Sequence, residues 1–207
     1  MKIKTAVIII GLFHISGIIA IVATPFRDVF LSLTPLNLLI SAVLLFIFHE
    51  KYSKIHVLSF VIIAILGYIF EVLGVNTGKI FGVYTYGPVL GWKLLETPLI
   101  IGVNWIILTY SITYSWSNFI DNKWLLAILS AVSLVLLDVI IEPVAVIYNF
   151  WRWENDIIPI QNFIAWGIIA FLFCLILAFL KKKSTNNFAP FLILIQIIFF
   201  SALLIFS

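Results

Sequence analysis

The chain has 207 residues, of which 64% are hydrophobic and only 10% are charged. A soluble domain of this length could not bury so many apolar side chains in one core. The formal net charge of +3 is small and spread over short connectors, which argues against a nucleic-acid partner. The composition therefore indicates an integral membrane protein.

Seven apolar stretches along the chain approach the roughly 20 residues that cross a bilayer as a helix. They cover residues 5–24, 29–48, 55–74, 97–116, 124–142, 162–180 and 190–206. The first has the basic start of a signal peptide, but it is long enough to span and we interpret it as an uncleaved helix. We therefore predict an all-α, polytopic membrane bundle of about seven transmembrane helices, with residues 1–207 as a single integral membrane domain.

The distribution of lysine and arginine predicts the orientation, because these residues favour the cytoplasmic side of a membrane. Of the 12 lysine and arginine residues, four fall on one face of the predicted topology and eight on the other. The eight are Lys2, Lys4, Lys51, Lys54, Lys123, Lys181, Lys182 and Lys183. We expect a multi-pass protein of the cell membrane with a cytoplasmic N-terminus. The two longest connectors, 75–96 and 143–161, would then both be structured segments on the non-cytoplasmic side.

Three acidic residues lie at that side of the predicted bundle. Asp138 and Glu142 are four positions apart, about 40° around a helix, and Glu71 ends the third predicted helix. An acidic side chain at the centre of a bilayer costs about 2.5 to 3.5 kcal/mol. Two interpretations stay open. In the first, Asp138 bonds to another helix while Glu142 lies in water; in the second, the acids transfer protons in a water-poor pocket.

The two connectors carry an unusual number of glycines and aromatic rings. Five glycines punctuate residues 74–91, which also hold Phe81, Tyr84 and Tyr86. We expect this connector to fold back over the bundle as a lid, the alternative being an aromatic anchor to lipid headgroups. Further candidate residues at the same side are Asn104, Trp105, Trp151, Trp153, Asn162 and Trp166. A helix cap is an equal alternative for Asn162.

The sequence lacks the motifs of several common enzyme and metal-binding classes. There is no HExxH, no pair of histidines at metal-ligand spacing, no GxSxG and no P-loop, so we predict no metal site. His14 and the lone Cys174 are interpreted as packed core residues. His49 and His56 fall on the face opposite the acids.

Four motifs follow one another along the middle of the chain. They are E..G..TGKIFG.Y.Y...LG from Glu71 to Gly91, D...EP from Asp138 to Pro143, WRW at 151–153 and P.QNF..W from Pro159 to Trp166. Together they resemble the membrane carotenoid-biosynthesis family of carotenoid 1,2-hydratases, which includes bacterioruberin-precursor and γ-carotene hydratases. The resemblance spans about residues 60–170. The first two predicted helices and the last one match only in hydrophobicity.

The resemblance implies the addition of water to the terminal C1=C2 double bond of an acyclic carotenoid ψ-end, as in lycopene, γ-carotene or a C50 precursor. It implies no cofactor, a hydrophobic polyene as substrate within membrane lipids, and association with other enzymes of the pathway. On this hypothesis Asp138 donates the proton, Glu142 or Glu71 handles the water, and the aromatic residues line the pocket. A proton-initiated carotenoid cyclase and a non-catalytic carotenoid or lipid carrier are the alternatives.

Overall fold

A computed structural model describes residues 2–180 and 185–207, so Lys181, Lys182 and Lys183 of the orientation argument lie outside the described residues. The described helices are α1 (Ile3–Ala23), α2 (Arg27–Ser32), α3 (Thr34–Ile47), α4 (Lys54–Thr77), α5 (Ile101–Trp116), α6 (Lys123–Ile147), α7 (Ile160–Leu180) and α8 (Ala189–Phe206). The described strands are β1 (Tyr84–Tyr86), β2 (Lys93–Leu94), β3 (Thr97–Pro98) and β4 (Trp151–Trp153).

The prediction of an all-α membrane bundle is confirmed. Among the described residues, five helices are long and apolar enough to cross a membrane: α1, α4, α6, α7 and α8, with 18 to 25 residues each. The helices α3 and α5 are apolar but shorter, with 14 and 16 residues. Each of the seven predicted stretches contains helix, and the strands are confined to the connectors.

Two of the predicted helical stretches have different boundaries in the structure, one beside a proline and one beside a strand. The stretch 29–48 is divided into α2 and α3, and Pro35 stands in the first turn of α3, where a missing N–H costs least. The fourth stretch begins at Ile101 rather than at residue 97, because Thr97 and Pro98 pair with β2 in a small antiparallel sheet.

The prediction that a connector begins at Pro143 is wrong, because α6 continues through this proline to Ile147. A proline inside a helix removes one backbone hydrogen bond, which neighbouring helices can compensate. Val144 and Ala145, directly after the proline, are fully packed, and this packing supports the extra turn. The second connector therefore starts at Tyr148.

Helix α5 is the centre of the bundle. It contacts α3, α4, α6, α7 and α8, and every side chain from Trp105 to Tyr114 is buried. Glycine permits its closest approach to α4, since a Cβ on Gly102 would lie 2.5 Å from the carbonyl oxygen of Ala64. Small residues of this kind allow helix backbones to touch in membranes. The outer helix α1 packs against α8, α2 and α3.

The two long connectors pair with each other over one end of the bundle. Strand β1 is antiparallel to β4, with Tyr84 opposite Trp153 and Tyr86 opposite Trp151. We call these two strands, residues 84–86 and 151–153, the aromatic lid. The tyrosine side chains point inward and are buried, as the lid prediction requires. Trp92, farther along the first connector, is 88% exposed and suits the alternative role of a headgroup anchor.

The residues predicted to be structural are buried away from the lid. Cys174 is fully buried, and His14 bonds through Nδ1 to the carbonyl oxygen of Ile10 at 2.8 Å. His56 contacts the carbonyl oxygen of Leu180 at the far end of α7 through Nε2, at 3.2 Å. This end of α7 is about 30 Å from its start near the lid.

Gly87 offers a test of how closely the connectors approach. A Cβ at this position would lie 1.8 Å from the carbonyl oxygen of Asn149, so Gly87→Ala must push the connectors apart. We expect a loss of about 1 to 3 kcal/mol in stability, measured as thermal unfolding in detergent. Gly11→Ala is the matched control, since its Cβ would meet nothing within 4 Å. Equal unfolding temperatures for the two variants would contradict this packing.

Candidate functional site

The aromatic lid and the adjoining ends of α4, α5, α6 and α7 enclose a small cavity, which we call the acid cavity. Its volume is about 30 Å³, which corresponds to roughly one water molecule. The predicted site residues in its wall are Glu71, Tyr84, Tyr86, Asn104, Asp138, Glu142, Trp151, Trp153, Asn162 and Trp166. Trp105 lies behind this wall and reaches it through a hydrogen bond to Glu71. The structure thus brings the predicted residues together in one place.

Glu71 is held by donors on both of its carboxyl oxygens. The hydroxyls of Tyr84 and Tyr86 donate to Oε2 at 2.6 and 2.7 Å, and the indole Nε1 of Trp105 donates to Oε1 at 3.0 Å. Burial, followed by the nearby Glu71 carboxyl, raises the pKa of both tyrosine hydroxyls. The two tyrosines therefore remain protonated donors, and Glu71 fastens the first connector to α4 and α5.

Glu142 and Asp138 share one amide donor. The indoles of Trp151 and Trp153 donate to Glu142 Oε2 at 3.0 and 2.7 Å. The Asn162 side-chain nitrogen donates to Glu142 Oε1 at 3.0 Å and to Asp138 Oδ2 at 2.9 Å. Glu142 is only 1% exposed, so the alternative that placed it in water is wrong. The Asn162 amide thus bridges two acids of α6 from the start of α7.

Asp138 differs from the two glutamates in its second oxygen. Its hydrogen bond to Asn162 is the link to another helix that one interpretation predicted. However, Oδ1 has no hydrogen-bond partner among the described residues, although Asp138 is only 1% exposed. An unpaired buried carboxyl oxygen is costly, and such atoms are rare in structural positions. Because Asp138 forms part of the wall, it presents a carboxyl group to the acid cavity.

Aromatic rings form much of the remaining wall. Trp166 stacks on Trp105 with ring centroids 4.3 Å apart, and Trp153 packs against Tyr84 at 4.9 Å. No lysine or arginine is found in the wall among the described residues. The rings offer electron-rich faces that stabilise a cation without attacking it. In the described part of the chain, no group of three or more metal-ligating side chains is present.

Several wall residues were not identified from the sequence. Ile101, Leu108 and Ile141 complete the cavity, but by composition they resemble any lipid-facing residue. Helical spacing could have indicated two of them, since Leu108 lies four positions after Asn104 and Ile141 three after Asp138. Asn104 itself is half-buried and lines the cavity.

Most of the chain, including the acid cavity, matches a known protein family. A family profile described as carotenoid biosynthesis protein matches residues 29–207. The chain belongs to this carotenoid biosynthesis family. Neither a curated protein nor a solved structure matches the chain. The predicted resemblance to a carotenoid-biosynthesis family is confirmed, and the matching segment includes every residue of the acid cavity. Its predicted extent of about residues 60–170 was too short, because the match also covers the second and the last predicted helices and omits only residues 1–28.

Glu71→Gln tests the hydrogen bonds that hold the first connector in this family member. A glutamine replaces one acceptor oxygen by a donor, so at least one of the three buried donors loses its acceptor. We expect a loss of about 1 to 3 kcal/mol, measured by thermal unfolding in detergent. Glu154→Gln is the control because Glu154 is exposed in the turn after β4. An unchanged unfolding temperature for Glu71→Gln would argue against the three-donor arrangement.

Proposed function

We propose that the protein is a cofactor-independent carotenoid 1,2-hydratase, a hydro-lyase that adds water to the ψ-end of an acyclic carotenoid. One observation carries the proposal: Asp138, a buried acid with one unpaired carboxyl oxygen, lines a small cavity whose wall is rich in aromatic rings. Membership of the carotenoid biosynthesis family supports a polyene as the substrate. Lycopene, γ-carotene and a C50 precursor all carry such an end.

The reaction begins with proton transfer from the Asp138 carboxyl group to C2 of the terminal double bond. This step breaks the C1=C2 π bond and leaves a tertiary carbocation at C1. A cation of this kind reacts with any nearby nucleophile, so it must be formed in an enclosed space. The aromatic faces and the neighbouring carboxyl groups supply electrostatic stabilisation.

Water then completes the reaction. Its oxygen forms the new bond to C1, and its proton returns to a carboxylate, which regenerates the acid. Glu142 is the best-placed group to orient this water, because its carboxyl is adjacent to Asp138 through Asn162. Glu71 keeps all its hydrogen bonds with the lid and α5, and we assign it a positioning role. Tyr84, Tyr86, Trp151, Trp153 and Trp166 shield the cation.

The difference in hydrogen bonding among the acids supports Asp138 as the proton donor. Donors stabilise a negatively charged carboxylate, and Glu71 and Glu142 each receive three of them. Asp138 receives one, from Asn162. The carboxyl group with the fewest donors is the one best suited to keep a proton until the alkene arrives.

Hydration makes a smaller demand on the space in the acid cavity than cyclisation does. A cyclase begins with the same proton transfer, but it must fold the end of the polyene into a six-membered ring inside the site. A cavity of about 30 Å³ beside the acids has space for the water that hydration requires, and in either reaction the side chains of the wall must move to admit the end of the polyene. A non-catalytic carrier would have no need of an unpaired buried carboxyl oxygen.

We further propose the setting in which this chemistry occurs. The chain, residues 1–207, forms one integral membrane domain of the cell membrane with a cytoplasmic N-terminus, so the aromatic lid faces the non-cytoplasmic side. Membrane lipids surround the bundle, and other enzymes of the carotenoid pathway are expected to associate with it.

Expression in a lycopene-accumulating bacterium tests the proposed function. The native chain should yield pigment heavier than lycopene by one or two waters. Asp138→Asn should lower this product at least ~100-fold, because general acid catalysis commonly contributes that much. Asp121→Asn, at an exposed acid before α6, is the matched control and should keep full activity. Pigment mass and protein level are measured together.

Each other outcome of this experiment has a definite meaning. A cyclic product with the mass of lycopene would replace the hydratase by a cyclase. Unchanged lycopene bound to the native chain would indicate a carrier. Undiminished hydration by folded Asp138→Asn would remove Asp138 from the mechanism.

A further inference from the structure

A larger apolar cavity opens at the side of the bundle, and the acidic residues do not line it. It lies between α1, the corner of α2 and α3, and α8, and has a volume of about 360 Å³. We call it the side groove. Its rim includes the exposed side chains of Phe13, Leu33 and Leu36, so it opens toward lipid. Its volume falls within the roughly 300 to 1,000 Å³ of ordinary ligand pockets.

A third cavity, which we call the passage, lies between the side groove and the acid cavity. This intermediate cavity, of about 60 Å³, shares Leu38, Phe150 and Phe200 with the side groove. It shares Asn104 and Trp151 with the acid cavity. The three cavities therefore follow one another from the lipid-facing surface to the carboxyl groups.

We propose that the side groove binds the polyene body of an acyclic isoprenoid and that the end of the chain reaches Asp138 through the passage. This inference rests on the proposed function and names the substrate's binding site and route. The substrate enters sideways from the bilayer, so the aromatic lid stays closed over the acids. The part of a long polyene that exceeds the groove remains in lipid.

The chemistry of the groove favours an uncharged chain over a phospholipid. Its described lining contains no lysine, arginine, aspartate or glutamate to pair with a charged headgroup, and its polar members, His14, Ser16, Thr34, Asn37 and Gln196, are outnumbered by apolar ones. Phe13, Phe30, Phe150, Phe199 and Phe200 supply aromatic surface along the walls. A flat conjugated chain gains contact with such rings along its whole length.

One polar atom marks the junction of the groove and the passage. Gln196 lines both, is only 5% exposed, and its Oε1 has no hydrogen-bond partner among the described residues. Leaving such an acceptor unpaired is costly, so Gln196 gains from any hydrogen-bond donor that enters the groove. The incoming polyene has no donor, whereas the hydrated product has a hydroxyl. Gln196 thus offers the product an acceptor on its way out.

Blocking the passage tests the proposal, with lycopene as the probe. In an Asp138→Asn background the bound pigment stays unreacted, and its amount per protein is read from absorbance after purification from a lycopene-accumulating bacterium. Leu38→Trp fills the junction and should lower bound lycopene at least tenfold. Leu39→Trp, at the exposed neighbouring position, is the matched control and should retain it. Equal lycopene in both variants, or phospholipid in its place, would overturn the proposal.

A second pair of variants guards against misfolding of Leu38→Trp. Gly17→Leu grows into the groove, where a Cβ at Gly17 already meets Phe199 at 3.3 Å. Gly11→Leu, on the same helix with open space around it, is its control. Gly17→Leu should lose lycopene and Gly11→Leu should keep it, and the opposite pattern contradicts the proposed groove.

The results separate the groove from the proposed function. In one outcome, the protein binds lycopene, Leu38→Trp abolishes this binding, and the native chain forms no hydrate. This outcome would support the groove and refute the hydratase. Hydrate formation that continues at the native rate in Leu38→Trp would support the hydratase and refute the groove.

Discussion

Carboxyl groups buried in a membrane bundle need hydrogen-bond donors, and this need organises the lid end of the protein. Glu71 receives two tyrosine hydroxyls from β1, and Glu142 receives two indole N–H groups from β4. The acids sit on α4 and α6, so each connector is fastened to a different helix. Because β1 and β4 also pair with each other, the lid closes over the acids as one unit.

The same need for donors leaves Asp138 with fewer hydrogen bonds than the two glutamates. Asn162 has one amide group to divide between Asp138 and Glu142, and the lid donors all reach the glutamates. The unpaired oxygen of Asp138 is therefore a consequence of how the donors are distributed, and Asp138 lines the acid cavity. On the proposed mechanism, the interactions that stabilise the fold also select which acid meets the alkene.

The candidate site was largely predictable because polar residues in hydrocarbon are rare and costly. Asp138, Glu142 and Glu71 stood out for this reason, and the glycines and rings of the connectors indicated a lid. The continuation of α6 past Pro143 was not predictable, since tertiary packing overrides the local preference. The side groove was equally hidden, because residues such as Leu38 look like any other lipid-facing residue.

The central claim is that a carboxyl group protonates the polyene and that water captures the cation. Incubation of the purified protein with lycopene in deuterium oxide tests this claim most directly. The account predicts a tertiary alcohol with one deuterium bound to the carbon beside the carbinol carbon, because the acid exchanges with solvent before it protonates C2. A hydroxylated product without carbon-bound deuterium would contradict the account, and so would recovery of lycopene alone.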